Sequence, residues 1–144
     1  MSVRENALAR LKTVLDGVSG SPTVTRNESV PVKIPAGGLV ALFDGVAGES
    51  DVVLSPTIYY YEHRAEIEVV VQNKSAATRD TALDTLLVAI STAVNADTTL
   101  NSTVDLARLE APEFEELGDI EGADDLKAAI VPVILHYNTT DPLN

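Results

Sequence analysis

The chain has 144 residues, no cysteine and a formal net charge of −12. Its length suits one ordinary domain, and the lack of cysteine excludes disulfides, thiolate metal sites and thiol nucleophiles. Residues 97–144 hold 11 acidic side chains against only Arg108 and Lys127, so direct nucleic-acid binding, which needs clustered Lys and Arg, is not expected.

The N-terminal segment predicts an amphipathic helix rather than an export signal. Charged residues in MSVRENALARL stand where a signal peptide needs an apolar run. Ser2 and Glu5 match a capping box, and Gly17 ends the pattern. No later segment reaches the roughly 18 uncharged apolar residues of a membrane span, so we expect a soluble protein. The apolar positions at helical spacing are Val3, Ala7, Leu8, Leu11, Val14 and Leu15.

Two strands and a loop are predicted next. Residues 23–32, TVTRNESVPV, favour a modest strand with a turn near Asn27. Residues 38–45, GLVALFDG, favour an apolar strand that closes at a turn. Residues 46–56 are predicted to be loop.

Residues 58–72 predict a long strand, because apolar and charged residues alternate along it. Straight, it would span roughly 50 Å, whereas a compact chain of this length is only about 37 Å across. We therefore expect the strand to curve, break or extend beyond the domain. The apolar parity is Tyr61, His63, Ala65, Ile67, Val69 and Val71, and the charged parity is Glu62, Arg64, Glu66 and Glu68.

The second half of the chain adds a helix and further strands. Residues 75–97 carry an apolar stripe at helical spacing, and residues 102–117 favour a strand broken near Pro112. Residues 127–139 are apolar on both parities, which is typical of a strand covered on both faces, with Pro132 at a bulge or beside an open edge. The sequence thus predicts one α+β domain over 1–144. In it, two main helices pack on a largely antiparallel or mixed sheet of four to five strands.

An acidic segment at 110–125 holds eight carboxylates and no basic residue. It lacks the order of Asp, Asn and Gly that an EF-hand needs, so a calcium site is not favoured. We predict a flexible, solvated segment. An alternative is a partner-binding arm in which Phe114 is the apolar anchor.

No residue pattern predicts catalysis, a cofactor or a metal. GVSGS (17–21) has the wrong spacing for a nucleophilic serine turn, and PAGG (35–38) lacks the Lys of a phosphate loop. His63 and His136 both fall in predicted strands. If those strands pair, the imidazoles could meet and form a metal or acid–base site with Glu62. The alternative is two half-buried sheet residues.

Four ordered segments cover most of the chain from residue 38 onward: LVALFDG, TIYYYEHRAEIEVVVQ, RDTALDTLLVAISTAVNADTTLNSTVDLA and AIVPVILHYNTTDP. Together they resemble the tail terminator (tail completion) proteins of long-tailed phages, prophages and gene transfer agents. One departure is Asn101 and Ser102, which stand where family members often carry glycine after the D-x-T-L turn.

The resemblance implies a structural virion protein with no cofactor and no membrane contact. It implies a homo-oligomer, a hexameric ring that caps the tail tube, ends polymerisation and offers the surface on which the head docks. The implied partners are the tail tube protein and a head-side connector or stopper protein, while DNA passes through the lumen without specific binding. The implied location is the head-proximal end of the virion tail, after synthesis in the bacterial host cytoplasm.

A cyclic ring uses heterologous contacts, and an open sheet edge is one candidate for them. The residues predicted to contact a neighbouring subunit or the tail tube are Tyr60, Glu62, Arg64, Glu66, Glu68 and Phe114. The charged parity of the long strand could meet a neighbour or face the channel. Alternative functions are another neck protein, such as a head-closure or connector protein, a binding module that uses the acidic segment, or a small His-dependent acyl-transfer or hydrolytic enzyme.

Overall fold

The computed structural model describes residues 1–31, 33–115 and 125–144. It contains two helices and seven strands in a single chain order. These are α1 (Val3–Asp16), β1 (Thr23–Arg26), β2 (Leu39–Val46), β3 (Asp51–Val53), β4 (Ile58–Gln72), α2 (Ala76–Asn95), β5 (Leu106–Leu109), β6 (Glu113–Phe114) and β7 (Leu126–Thr139).

The strands form one mixed sheet in the order β1-β2-β4-β7-β5, with β3 beside β4 and β6 beside β7. Only β1 and β2 are parallel, and every other pair is antiparallel. The long central pair, β4 and β7, is continuous from Tyr59 opposite Thr139 to Gln72 opposite Leu126. The predicted α+β class is confirmed.

The predicted count of four to five strands is wrong, because the described residues contain seven. Residues 46–56, expected to be loop, include β3, whose three residues are all exposed and so give no alternating pattern. The strand expected over 102–117 is two short strands, β5 and β6, on either side of Pro112. The strand predicted over 23–32 ends at Arg26, and Asn27 follows with a φ of 57°.

Both helices begin at the residues that the sequence indicates. The Ser2 hydroxyl accepts a hydrogen bond from the Glu5 amide at 3.0 Å, and the Ser75 hydroxyl accepts one from the Thr78 amide at 3.4 Å. The capping box at α1 is only half formed, because the Glu5 carboxylate binds Arg26 instead. Across the described ranges, no helix is both long and apolar enough to cross a membrane.

The helices cover one face of the sheet, and the main core lies between them. Ile67 of β4 and Val133 of β7 are fully buried at its centre against helix residues such as Leu11 and Ile90. The predicted apolar parity of β4 is confirmed as the helix-covered side. From the two central strands this side receives His63, Ala65, Ile67, Val69, Val71, Ala129, Val131, Val133, Leu135 and Tyr137.

Pro132 breaks no hydrogen bond of the sheet. Its carbonyl accepts a hydrogen bond from the Glu110 amide at 3.0 Å, and the nitrogen and carbonyl of one strand residue point to the same side. That side is the gap between β5, which pairs with residues 133–136, and β6, which pairs with residues 129–130. The expected position beside an open edge is confirmed.

The long strand β4 is unbroken over 15 residues. On one side it is flanked by β2 along residues 64–70 and by β3 along residues 58–60. The register shifts between Phe43 and Val46, where Gly45 has a φ of 68°. A Cβ at Gly45 would overlap the carbonyl oxygen of Arg64, so only glycine fits this bulge.

The acidic segment predicted to be flexible, 110–125, falls largely outside the described residues, which omit 116–124. Its described part includes β6, which pairs Glu113 with Ile130 and Phe114 with Ala129.

Candidate functional site

The sheet face opposite the helices carries the charged parity of β4. Glu62 is exposed, and Arg64, Glu66 and Glu68 are half-buried. Their partners across the strand pair are His136, Ile134, Pro132 and Ile130, in that order. The structure therefore places these four predicted interface residues together on one surface, which we call the helix-free face.

Carboxylates outnumber cations at the centre of this face. Arg64 lies 3.5 Å from Glu66 and 3.7 Å from Glu113. Burial and the neighbouring Glu115 carboxylate raise the pKa of Glu68. Four carboxylates around one guanidinium leave a negative surface, which repels phosphate groups and attracts cationic ones.

One end of the helix-free face is apolar and covered. Ile34, from the segment before β2, packs there on Leu39 and Val70. Its amide donates a hydrogen bond to the Gln72 side-chain oxygen at 3.1 Å. The charged centre is therefore bounded on this side by a small second core.

The two histidines lie on opposite faces of the sheet, so the hypothesis that their imidazoles meet is wrong. His63 is opposite Leu135 and His136 is opposite Glu62. Neighbouring residues of a strand point to opposite sides, and His63 shares its side with the helices. His136 instead lies beside Glu62, with 3.8 Å between its Nδ1 and the carboxylate.

His63 has a structural environment. It is 2% exposed, with Nε2 2.5 Å from the Asp44 carbonyl oxygen and Nδ1 2.8 Å from the Tyr137 hydroxyl. Since a carbonyl only accepts, Nε2 carries the proton and Nδ1 accepts from the hydroxyl. Burial lowers the pKa of His63 and raises that of Tyr137 to about 12, so both groups are neutral at pH 7.

His136 borders a cleft of about 180 Å³. Its Nε2 is buried without a hydrogen-bond partner among the described residues. The cleft lining contains no serine, threonine or lysine that could act as a nucleophile, and the described ranges hold no group of three side chains placed to bind a metal. The lining residues are Asp51, Tyr60, Tyr61, Glu62, Asp105, His136 and Tyr137.

Arg26 links helix α1 to the sheet. Its guanidinium donates two hydrogen bonds of 2.9 Å to the Glu5 carboxylate and one of 2.8 Å to Asp44. The bond from Arg26 lowers the pKa of Glu5. Burial opposes a similar shift at Asp44, but the hydrogen bonds from Arg26 and Asn27 outweigh it and lower its pKa. The Asp44 carbonyl continues this network to His63.

The end of the β3–β4 hairpin is apolar and exposed. Residues 52–61, VVLSPTIYYY, carry no charged side chain. Leu54 is 75% exposed and the predicted interface residue Tyr60 is 43% exposed. Val46 and Val52 are exposed as well, and sequence reasoning missed both, together with Leu54. The uncharged run of ten residues in a strongly acidic chain is the pattern that could have indicated them.

Phe114 does not share the surface of the other predicted interface residues. It is 59% exposed and lies beside Lys127, whose Nζ is 5.4 Å from the ring centroid. Lys127 in turn contacts Asp80 of α2 at 2.8 Å. Phe114 therefore lies at the α2 side of the sheet, away from Glu62 and Glu66.

No family model and no curated protein matches the chain. One solved structure similar to it is a chain described as "Virion of native gene transfer agent (GTA) particle". The two are 18% identical, with a TM-score of 0.37, over 94% of each chain. Likeness at this identity and TM-score does not by itself assign a function.

Proposed function

We propose that the protein is a structural virion component, a tail terminator that forms a ring on the finished tail tube, ends its growth and presents the surface to which the head is joined. The observation that carries the proposal is the uncharged, exposed end of the β3–β4 hairpin on an otherwise acidic chain. Exposed apolar surface of this kind marks a protein interface. The resemblance of four ordered segments to tail terminators indicates which assembly it serves.

The sheet supports assembly through different patches on neighbouring copies. β3 is a short strand with β4 on one side, so it presents a strand edge next to exposed Val52 and Val53. Contacts between unlike patches close into a ring when the rotation between copies allows it. The hexameric number comes from the resemblance.

The helix-free face suits a wall past which DNA moves. The carboxylates of Glu66, Glu68 and Glu113 outnumber the Arg64 guanidinium there. A negative surface of this kind repels the phosphate backbone and so holds no DNA in place. We therefore propose that this face lines the channel, and that subunit contacts are made elsewhere.

Electron microscopy of particles from producing cells that lack the chain tests this function. We expect tails of excessive and variable length without heads, and normal tails when the wild-type gene is supplied. Tails of normal length beside unjoined heads would indicate a head-closure or connector protein instead. Normal, infective particles would contradict both functions.

A further inference from the structure

The end of the β3–β4 hairpin has the chemistry of a buried surface but is not buried. Leu54, Val52 and Tyr60 are all exposed, with Leu54 at the turn. The nearest charged residues in the chain are Asp51 and Glu62, at either end of the uncharged run. A partner that covers this surface therefore meets apolar and hydroxyl groups, and a charged partner surface would lose water without gaining an ion pair.

The helix layer carries a groove of matching chemistry. It has a volume of about 350 Å³ and runs between the end of α1 and the outer side of α2. No charged side chain lines it, and Val88 at its centre is 58% exposed. The lining residues are Gly17, Ser19, Thr85, Val88, Ala89, Thr92 and Ala93.

We propose that the hairpin end of one copy docks into the α1–α2 groove of a second copy, with Leu54 against Val88. Within one chain both residues are exposed, so the two surfaces do not cover each other. A chain with a net charge of −12 repels a second copy wherever carboxylates approach. These two uncharged surfaces can meet without desolvating any carboxylate, which selects a second copy as the occupant.

The contact is heterologous, because each copy offers its hairpin to one neighbour and its groove to another. Repeated head to tail, such a contact makes a closed ring or an open filament. The inference rests on the proposed function, for which it supplies the subunit contact. It leaves the helix-free face, with Glu66 and Glu68, outside the contact.

Sedimentation velocity and native mass spectrometry of the purified full chain test the contact. We expect the wild-type assembly to strengthen between about 0.05 and 0.5 M salt, because added ions screen the repulsion between acidic chains. Leu54→Lys and Val88→Glu should each weaken association at least tenfold. The double variant L54K/V88E should recover most of it, because opposite charges then face each other in every contact.

Leu143→Lys is the matched control, since it places the same charge at an exposed leucine outside both surfaces. It should leave association unchanged, and circular dichroism should show the native fold in every variant. Three results would overturn the contact: a wild-type monomer under all conditions, loss of association in L54K but not V88E, or no recovery in the double variant. The second would indicate a hairpin-to-hairpin contact.

The proposed function is tested separately by the lengths of tails made in cells. If the wild-type chain limits tail length but L54K also limits it and still assembles, the function stands and this contact is removed. If the double variant recovers association while tails of cells lacking the chain have normal length, the contact stands and the tail terminator function is removed.

Discussion

The two faces of the sheet are built from the same strands and differ at every second residue. Ile67 is fully buried against the helices, whereas its neighbours Glu66 and Glu68 are half-buried among other carboxylates. The helix-covered face holds the core, so its residues determine stability. The helix-free face adds little to the core at its charged centre and can therefore be used for function.

The largest expected effect is the loss of core packing on the helix-covered face. Ile67→Ala should lower the free energy of unfolding by about 3 to 4 kcal/mol, because it removes apolar contacts and leaves a cavity. Urea denaturation measures the change. Glu66→Ala, one residue away on the other face, should change stability by about 0.5 kcal/mol or less. Equal losses would contradict the division between the faces.

The bulge at Gly45 keeps both faces in register, and its loss comes next. Gly45→Ala should lower the free energy of unfolding by about 3 kcal/mol, because the new Cβ meets the Arg64 carbonyl. Gly48→Ala is the control, since Gly48 has a similar φ of 73° but open space around it. Its loss should be only about 1 kcal/mol, from backbone conformation alone. Thermal and urea unfolding would expose the prediction as wrong if both variants lost the same amount.

The two histidines make the faces respond differently to pH. Burial lowers the folded-state pKa of His63, so below the unfolded-state pKa of about 6.5 the unfolded chain binds a proton that the folded chain does not. Stability should fall as the pH drops from 6.5 to 5, by at most about 1.4 kcal/mol per pH unit.

Unfolding measured across this range checks the assignment. His63→Gln should flatten the decline, although it lowers stability at neutral pH. His136→Gln, on the helix-free face, should leave the decline as in the wild type. A flattened curve in the His136 variant would show that the wrong histidine had been assigned.

The smallest expected effect is a gain in stability on the helix-free face. The raised pKa of Glu68 means that its charged form is unfavourable in the folded state, so Glu68→Gln should stabilise the protein at pH 7 by about 0.5 kcal/mol. The gain should disappear near pH 4, where the carboxyl group is protonated. Glu62→Gln, at an exposed position, should give no gain. A loss of stability in the Glu68 variant would contradict the like-charge arrangement.

Elements with a long pattern could be predicted from the sequence, and short ones could not. The alternation of β4 extends over ten residues from Tyr61, so both its faces were evident. β3 and β6 have three and two residues, which is too few for a period. The helix α1 was evident from its spacing and from Ser2, but the binding of Glu5 to Arg26 depends on tertiary contacts that no local pattern contains.

The candidate site shows the same limit. His63 stands on the apolar parity of β4, so its burial could be predicted. β7 is apolar on both parities, and the face of His136 could not be assigned until its pairing with Glu62 was known. Phe114 was grouped with the charged parity because the sequence does not show that β6 places it beside Lys127. The exposure of Leu54 and Val88 likewise depends on how the layers pack.

Growth of tail tubes in the presence of the purified protein tests the central claim most directly. The tube protein of the same particle is allowed to polymerise, and tube lengths are measured by electron microscopy with and without the chain. We predict that growth stops, with a ring of the chain at one end of each tube. Tubes that grow to the same length, with no ring bound, would contradict the assignment as a tail terminator.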